Sequence, residues 1–144
     1  MVNAPAYFAV DNAETEPRRA VAINCDGAAS VAAAARILKN PFIHLSTDYV
    51  FAGDKGIAYS ERDAPAPLGV YGKSKLAGEL AVRLANPDAV ILRTSWIYSP
   101  FVSNFVKTMI RLADERSELG LTISVVIRRA HSIWQKQFLI LHQG

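Results

Sequence analysis

The chain has 144 residues, of which 51% are hydrophobic and 20% charged, the ordinary balance of one modest globular domain. Its net charge of +3 is spread along the chain with no basic stripe interleaved with aromatics, so no nucleic-acid partner is expected. Cys25 is the only cysteine, which excludes an internal disulfide and a C-x-x-C motif.

The opening "MVNAPAYFAVDNAETEP" lacks a basic leader region and carries acids too early for a signal peptide. No uninterrupted apolar run reaches the roughly 20 residues of a membrane span. The expectation is a cytoplasmic protein without a membrane segment.

Residues 2–10 read as the end of a strand running into a loop. "DNAE" fits a capping box, with Asp11 at the N-cap and Glu14 reaching back. Pro17 suits the first turn of a longer helix. Ala20, Val21, Ala28, Val31, Ala32, Ala35 and Leu38 give that helix an apolar face to about Lys39. Asn40-Pro41 breaks it, and Phe42 to Leu45 reads as a buried strand. Asp48 to Leu68 is a loop punctuated by Gly53, Gly56, Pro65 and Pro67. A helix follows from Tyr71 to about Leu84, then a β-branched strand in "AVILRTS". Val102, Phe105, Val106, Met109, Ile110 and Ala113 mark an amphipathic helix to about Glu118. Strands alternating with helices predict an α/β fold: a parallel sheet covered by helices.

Within "VYGKSKLAGE", Tyr71 and Lys75 sit four residues apart and share one helix face. A neighbouring cation favours the phenolate, which eases proton donation to a carbonyl. Thr47 and Asp48 close the strand in "HLST", and the carboxyl ends of strands face the ligand crevice of an open α/β sheet. A threonine hydroxyl there can bond a carbonyl oxygen or cap a turn. His44 reads as a satisfied core histidine, Cys25 as an inert buried thiol, and Tyr49 and Phe51 as packing. Lys73 and Glu79 read as a solvated helix face.

Taken together, "VNAPAYFAVDNAETEP", "HLSTDYVFAGDKG", "PLGVYGKSKLAGE" and "ILRTSWIYSP" resemble the dTDP-4-dehydrorhamnose reductase family of extended short-chain dehydrogenases/reductases. The likeness is ordered from about Val2 to Leu119. It implies reduction of the 4-keto group of a dTDP-linked 6-deoxy sugar by NADPH or NADH. Carried onto this chain, Tyr71 would be the proton donor. Lys75 would hold the nicotinamide ribose and lower the phenol's pKa, and Thr47 would bond the carbonyl or the phenol. Ala4, Ala6, Tyr7 and Phe8 would pass their backbone beside the cofactor, as would Leu45. Val10, Asp48 and Trp96 would face the dTDP-sugar substrate. Phe8 and Ser99 depart from the family, which has a small hydroxyl residue and a glycine there.

Dinucleotide folds open with a strand, a Gly-rich turn and a helix that meet the pyrophosphate. None of the eight glycines makes that pattern. The expectation is therefore a partial Rossmann-like parallel sheet over residues 1–119, the C-terminal half of an NAD(P)-binding domain. It would lack the first strands and the phosphate loop, hold no metal site, and be truncated at both ends, its activity lost or incomplete. Its uncovered sheet edge would favour a homodimer or wider self-association.

Residues 120–144 break the pattern. One coding of Ile127 to Ile133, read one base later, gives Phe-Gly-Ala-Pro-Thr-Ala-Ser, close to the family's continuation, so a frameshift between about Leu119 and Ile127 is expected. Sequencing the encoding DNA tests it. The competing readings are a sugar-nucleotide epimerase or dehydratase of the same superfamily, and a non-catalytic regulatory subunit like that of methionine adenosyltransferase.

Overall fold

The computed structural model describes residues 1–95, 101 and 104–115. Trp96, Ser99 and the whole 120–144 tail lie outside them. The chain divides into two units, Met1–Gly53 with Tyr59–Thr94, and Asp54–Ala58 with Ser95–Gly144.

The first unit is built on three parallel strands, β1 (Val2–Asn3), β2 (Ile43–Thr47) and β3 (Val90–Thr94), in the order β1-β2-β3. Register decides which side chains meet. Asn3 pairs with His44, and Ser46 with Arg93. These residues share a face because partners across parallel strands point the same way and alternate residues flip. The other face carries Val2, Ile43, Val90 and Leu92, all exposed. A parallel sheet ordinarily has both faces covered. The expected helical cover is found over the face that bears His44 and Ser46, where α4 (Val70–Ala85) packs.

The helix expected from Pro17 to Lys39 runs in three pieces. α2 (Pro17–Val21) leads into a π-turn (Ala22–Gly27) and then α3 (Ala28–Ile37). By length and composition alone this run, 21 residues from Pro17 to Ile37, is long and apolar enough to cross a membrane, a test that the helix of a soluble protein also passes. One face of it packs inward: Ala20, Asn24, Ala28, Ala32 and Ala35 are buried, and Ala28, Ala32 and Ala35 cluster with Phe42 and Val82. Small side chains let α3 and α4 approach closely. The π-turn comes closer still to α4 at Gly78, where a Cβ would lie 2.0 Å from the Asn24 carbonyl oxygen. Gly78→Ala is expected to cost about 2 kcal/mol by overpacking two backbones that cannot yield. Urea unfolding of the two proteins measures it.

The capping box is not formed. The first helix, α1 (Val10–Thr15), starts two residues early, with Ala9 at its N-cap and no side-chain cap. Glu14 instead reaches across the unit, where its Oε1 accepts from the Val70 N–H at 2.7 Å. A carboxylate at the first turn of α4 satisfies an orphan donor and favours the positive end of the helix dipole.

In the second unit, α5 (Phe105–Glu115) is the described helix. Asn104 caps it, its Oδ1 accepting from the Lys107 N–H at 3.1 Å.

Candidate active site

Tyr71, Lys75 and Glu79 occupy successive turns of α4, so they line one stripe of the helix. That stripe lies against the end of β2. Lys75, 3% exposed, donates from Nζ to the Leu45 carbonyl at 2.7 Å. Glu79, 2% exposed, accepts from Ser46 Oγ at 2.5 Å. Arg93 grips the same carboxylate from β3 with Nε at 2.9 Å and Nη2 at 2.7 Å. The guanidinium also lies 4.9 Å from the Phe51 ring centroid. Glu79 is therefore no solvated residue, as its sequence context suggested. It is a buried carboxylate that joins α4 to two strands. Lys73 is exposed, as expected.

The structure sets the Thr47 hydroxyl near enough to the Tyr71 phenol to act on it. Thr47 closes β2 and caps the short 3₁₀ turn Asp48–Val50, accepting from the Tyr49 N–H at 3.2 Å. Its hydroxyl also lies 3.2 Å from Asp48 Oδ1, to which it donates. Tyr49 meets Tyr71 edge to face, with centroids 5.5 Å apart and planes at 80°. Tyr49 packs, as expected, but what it packs on is the phenol. Gly72 permits this closeness, since a Cβ there would lie 2.3 Å from the Tyr49 carbonyl oxygen.

Burial pushes the Tyr71 phenol above the ordinary tyrosine value. The Thr47 hydroxyl pulls it back, and Asp48 and Tyr49 push it up further. Burial also lowers Lys75, with Glu79 opposing. This corrects the expectation that Lys75 lowers the phenol's pKa. The ammonium faces the Leu45 carbonyl, and desolvation of the phenol outweighs any help toward ionisation. The arrangement keeps the phenol protonated, the form a proton donor needs.

Asn24 is a buried residue beside these groups whose part sequence reasoning missed. Its Oδ1 accepts from the Tyr7 N–H at 2.8 Å, and its Nδ2 donates to the Tyr7 carbonyl at 3.2 Å and to Ser74 Oγ at 2.9 Å. The amide ties the 4–8 loop to α4 from inside the π-turn, a helix irregularity common at functional sites. The buried π-turn asparagine has no local sequence signature. Tyr7's backbone polar groups, expected to run beside a cofactor, are taken by Asn24. Its hydroxyl donates to Glu16 Oε2 at 2.7 Å.

The other expected contacts are placed as follows. Ala4 and Phe8 are exposed, Phe8 at 82%, so its ring crowds nothing in this structure. Ala6, Leu45 and Asp48 are half-buried, as is Val10, the first residue of α1. Trp96 lies outside the described residues. Cys25 is half-buried rather than buried, and burial raises its thiol.

His44 is only half satisfied. Its Nδ1 accepts from Asn3 Nδ2 at 3.0 Å, which places the proton on Nε2, and Nε2 has no partner among the described residues. Burial lowers its pKa to about 4, with Lys75 lowering it further and Glu79 opposing. The fold therefore holds a neutral imidazole. An unfolded histidine takes up a proton below about pH 6.5. Stability should rise with pH between about 4 and 6.5, by on the order of 3 kcal/mol, and then level. Urea unfolding at pH 4.5 and 7.5 measures this, and the difference should shrink in His44→Gln.

An ammonium, a phenol and a threonine hydroxyl at the end of β2 fit the hydroxyl-bearing end of a nicotinamide cofactor. For the diphosphate end, the tightly packed glycines Gly72 and Gly78 serve helix–backbone contacts rather than a phosphate cradle.

Residues 1–125 match the family model described as RmlD substrate binding domain. A dTDP-4-dehydrorhamnose reductase of Sinorhizobium fredii is 56% identical over 120 residues, covering 83% of this chain and 40% of that protein. The crystal structure of a dTDP-4-dehydrorhamnose reductase from Bacillus anthracis in complex with NADP is similar with a TM-score of 0.78 at 46% identity. That match covers 82% of this chain and 42% of the other. A dTDP-4-dehydrorhamnose reductase from Clostridium acetobutylicum gives a TM-score of 0.79 at 36% identity, covering 99% of this chain and 52% of the other. The chain thus spans about two fifths to one half of the length of these relatives.

Proposed function

The chain belongs to the RmlD substrate binding domain family, and on that premise we propose that it carries the proton-donating part of a dTDP-4-dehydrorhamnose reductase site. The observation that supports this most is the placing of Tyr71 and Lys75 on one stripe of α4 against the end of β2, where Lys75 bonds the Leu45 carbonyl and the Thr47 hydroxyl acts on the phenol. The reaction is the reduction of the 4-keto group of a dTDP-linked 6-deoxy sugar.

A bound NADPH or NADH supplies the hydride. Tyr71 gives its proton to the ketone oxygen as that oxygen becomes an alkoxide, so the phenol O–H breaks and the product O–H forms. Thr47 orients the phenol and the ketone oxygen. Lys75 would hold the ribose hydroxyls of that cofactor. Val10, Asp48 and Trp96 orient the sugar. Self-association of this chain would act through its uncovered sheet edge, aided by Val2, Ile43, Val90 and Leu92, which are exposed among the described residues.

A chimera tests the reading. The matching 120-residue segment of the Sinorhizobium fredii reductase is replaced by its counterpart from this chain. NADPH oxidation dependent on the keto sugar is expected. A folded chimera that binds NADPH and leaves the sugar unreduced would overturn the proposal.

A further inference from the structure

We propose that Glu79 is the positioning residue of the Tyr71–Lys75 pair, fixing the register of α4 on β2 and supplying the buried counter-charge to Lys75. The inference rests on reading that pair as the reductase's proton-donating group.

The geometry is a three-point clamp. Lys75 and Glu79 engage consecutive residues of β2, the Leu45 carbonyl and the Ser46 hydroxyl. Arg93 reaches the same carboxylate because β3 is in register with Ser46. A helix pinned at two adjacent turns can neither slide nor rotate on the strand. The next turn toward the N-terminus then places Tyr71 on Thr47, the next residue of β2. The carboxylate is as fully buried as the ammonium, so the two act on each other through protein rather than solvent.

Several groups face this pair. Tyr71 and Glu79 stand on α4 with Lys75, His44 and Thr47 on β2, Asp48 just beyond it, and Arg93 on β3. Among them, Glu79 is the group that favours the charged form of Lys75. Its own positive partner, Arg93, keeps the cluster near neutrality.

The test follows the side-chain NMR signals of Lys75 against pH in the 144-residue chain, in wild type, Glu79→Gln and Glu79→Asp. Glutamine keeps the shape and loses the charge. The Lys75 midpoint should fall in Glu79→Gln and return toward the wild-type value in Glu79→Asp. An unchanged midpoint in folded Glu79→Gln overturns the inference, because a purely structural role would lower stability and leave the titration alone. If Glu79→Gln does not fold, the midpoint is read in the double variant Glu79→Leu with Arg93→Met, which removes the carboxylate and its partner together; a lowered midpoint supports the coupling and an unmoved one overturns it. In the chimera, Glu79→Gln should lower kcat about tenfold with little change in KM, as expected for mispositioned reacting groups. The two readings separate cleanly. A moved midpoint in a chimera without turnover leaves the coupling standing and removes the reductase reading. An unmoved midpoint in an active chimera does the reverse.

Discussion

Arg93→Met is expected to lower the unfolding free energy by about 3–5 kcal/mol, the cost of leaving a buried charge without its partner. Arg93 supplies two of the three hydrogen bonds found on the Glu79 carboxylate, at 2.9 and 2.7 Å. The third, from Ser46, is neutral and cannot offset the charge. Glu79 is only 3% exposed at its side chain, whereas Arg93 is 20% exposed, so the penalty falls almost wholly on the carboxylate. Ion pairs of this kind are weak evidence of net stability, because an apolar pair of similar volume often serves as well. The double variant Arg93→Met with Glu79→Leu should therefore recover much of the loss. Urea unfolding at pH 7 gives both numbers, and a single-variant loss under about 1 kcal/mol would contradict the clamp.

What the sequence could and could not say follows from the range of the interactions. Strand β2 and helix α4 were legible within a residue or two, because periodicity and the Asn40-Pro41 and Asn86-Pro87 breaks are local signals. The pairing of Tyr71 with Thr47 was legible through the family likeness and through the rule that sites sit at strand ends. Glu79 was misread because a lone carboxylate on a helix is ordinarily a solvated one. Its true environment is set by Arg93, fourteen residues away and brought near only by strand register. Glu14 was misread for a similar reason: a local capping pattern lost to a more distant N–H of Val70. The π-turn at Asn24 has no periodic signature, since one extra residue in a turn leaves the surrounding apolar pattern intact. The direction of the Tyr71 shift also escaped, because helical spacing says where a cation stands along the chain and nothing of where its ammonium points.

Tyr71→Phe in the chimera is expected to lower kcat by about 10²–10⁴-fold, the usual worth of a positioned general acid. The substitution removes one oxygen and leaves the ring, so the edge-to-face contact with Tyr49 survives and folding is little disturbed. KM for the sugar should change little if the phenol acts on the ketone oxygen as charge develops, because an interaction made in the transition state alone appears in kcat. The pH profile carries a second, sharper signature. A phenol raised by burial stays protonated at a pH where an ordinary tyrosine begins to ionise. The rate should therefore hold through the alkaline range and fall only as pH passes the raised value. A phenol tuned downward by Lys75 would lose its proton, and the rate would fall, at a lower pH. Measuring kcat against pH in wild type and in Thr47→Val separates the two. Removing the Thr47 hydroxyl, the group that pulls the phenol back toward its ordinary value, should move the alkaline limb further up. A limb that stays in place would mean that the Thr47 hydroxyl does not govern the proton that reaches the sugar.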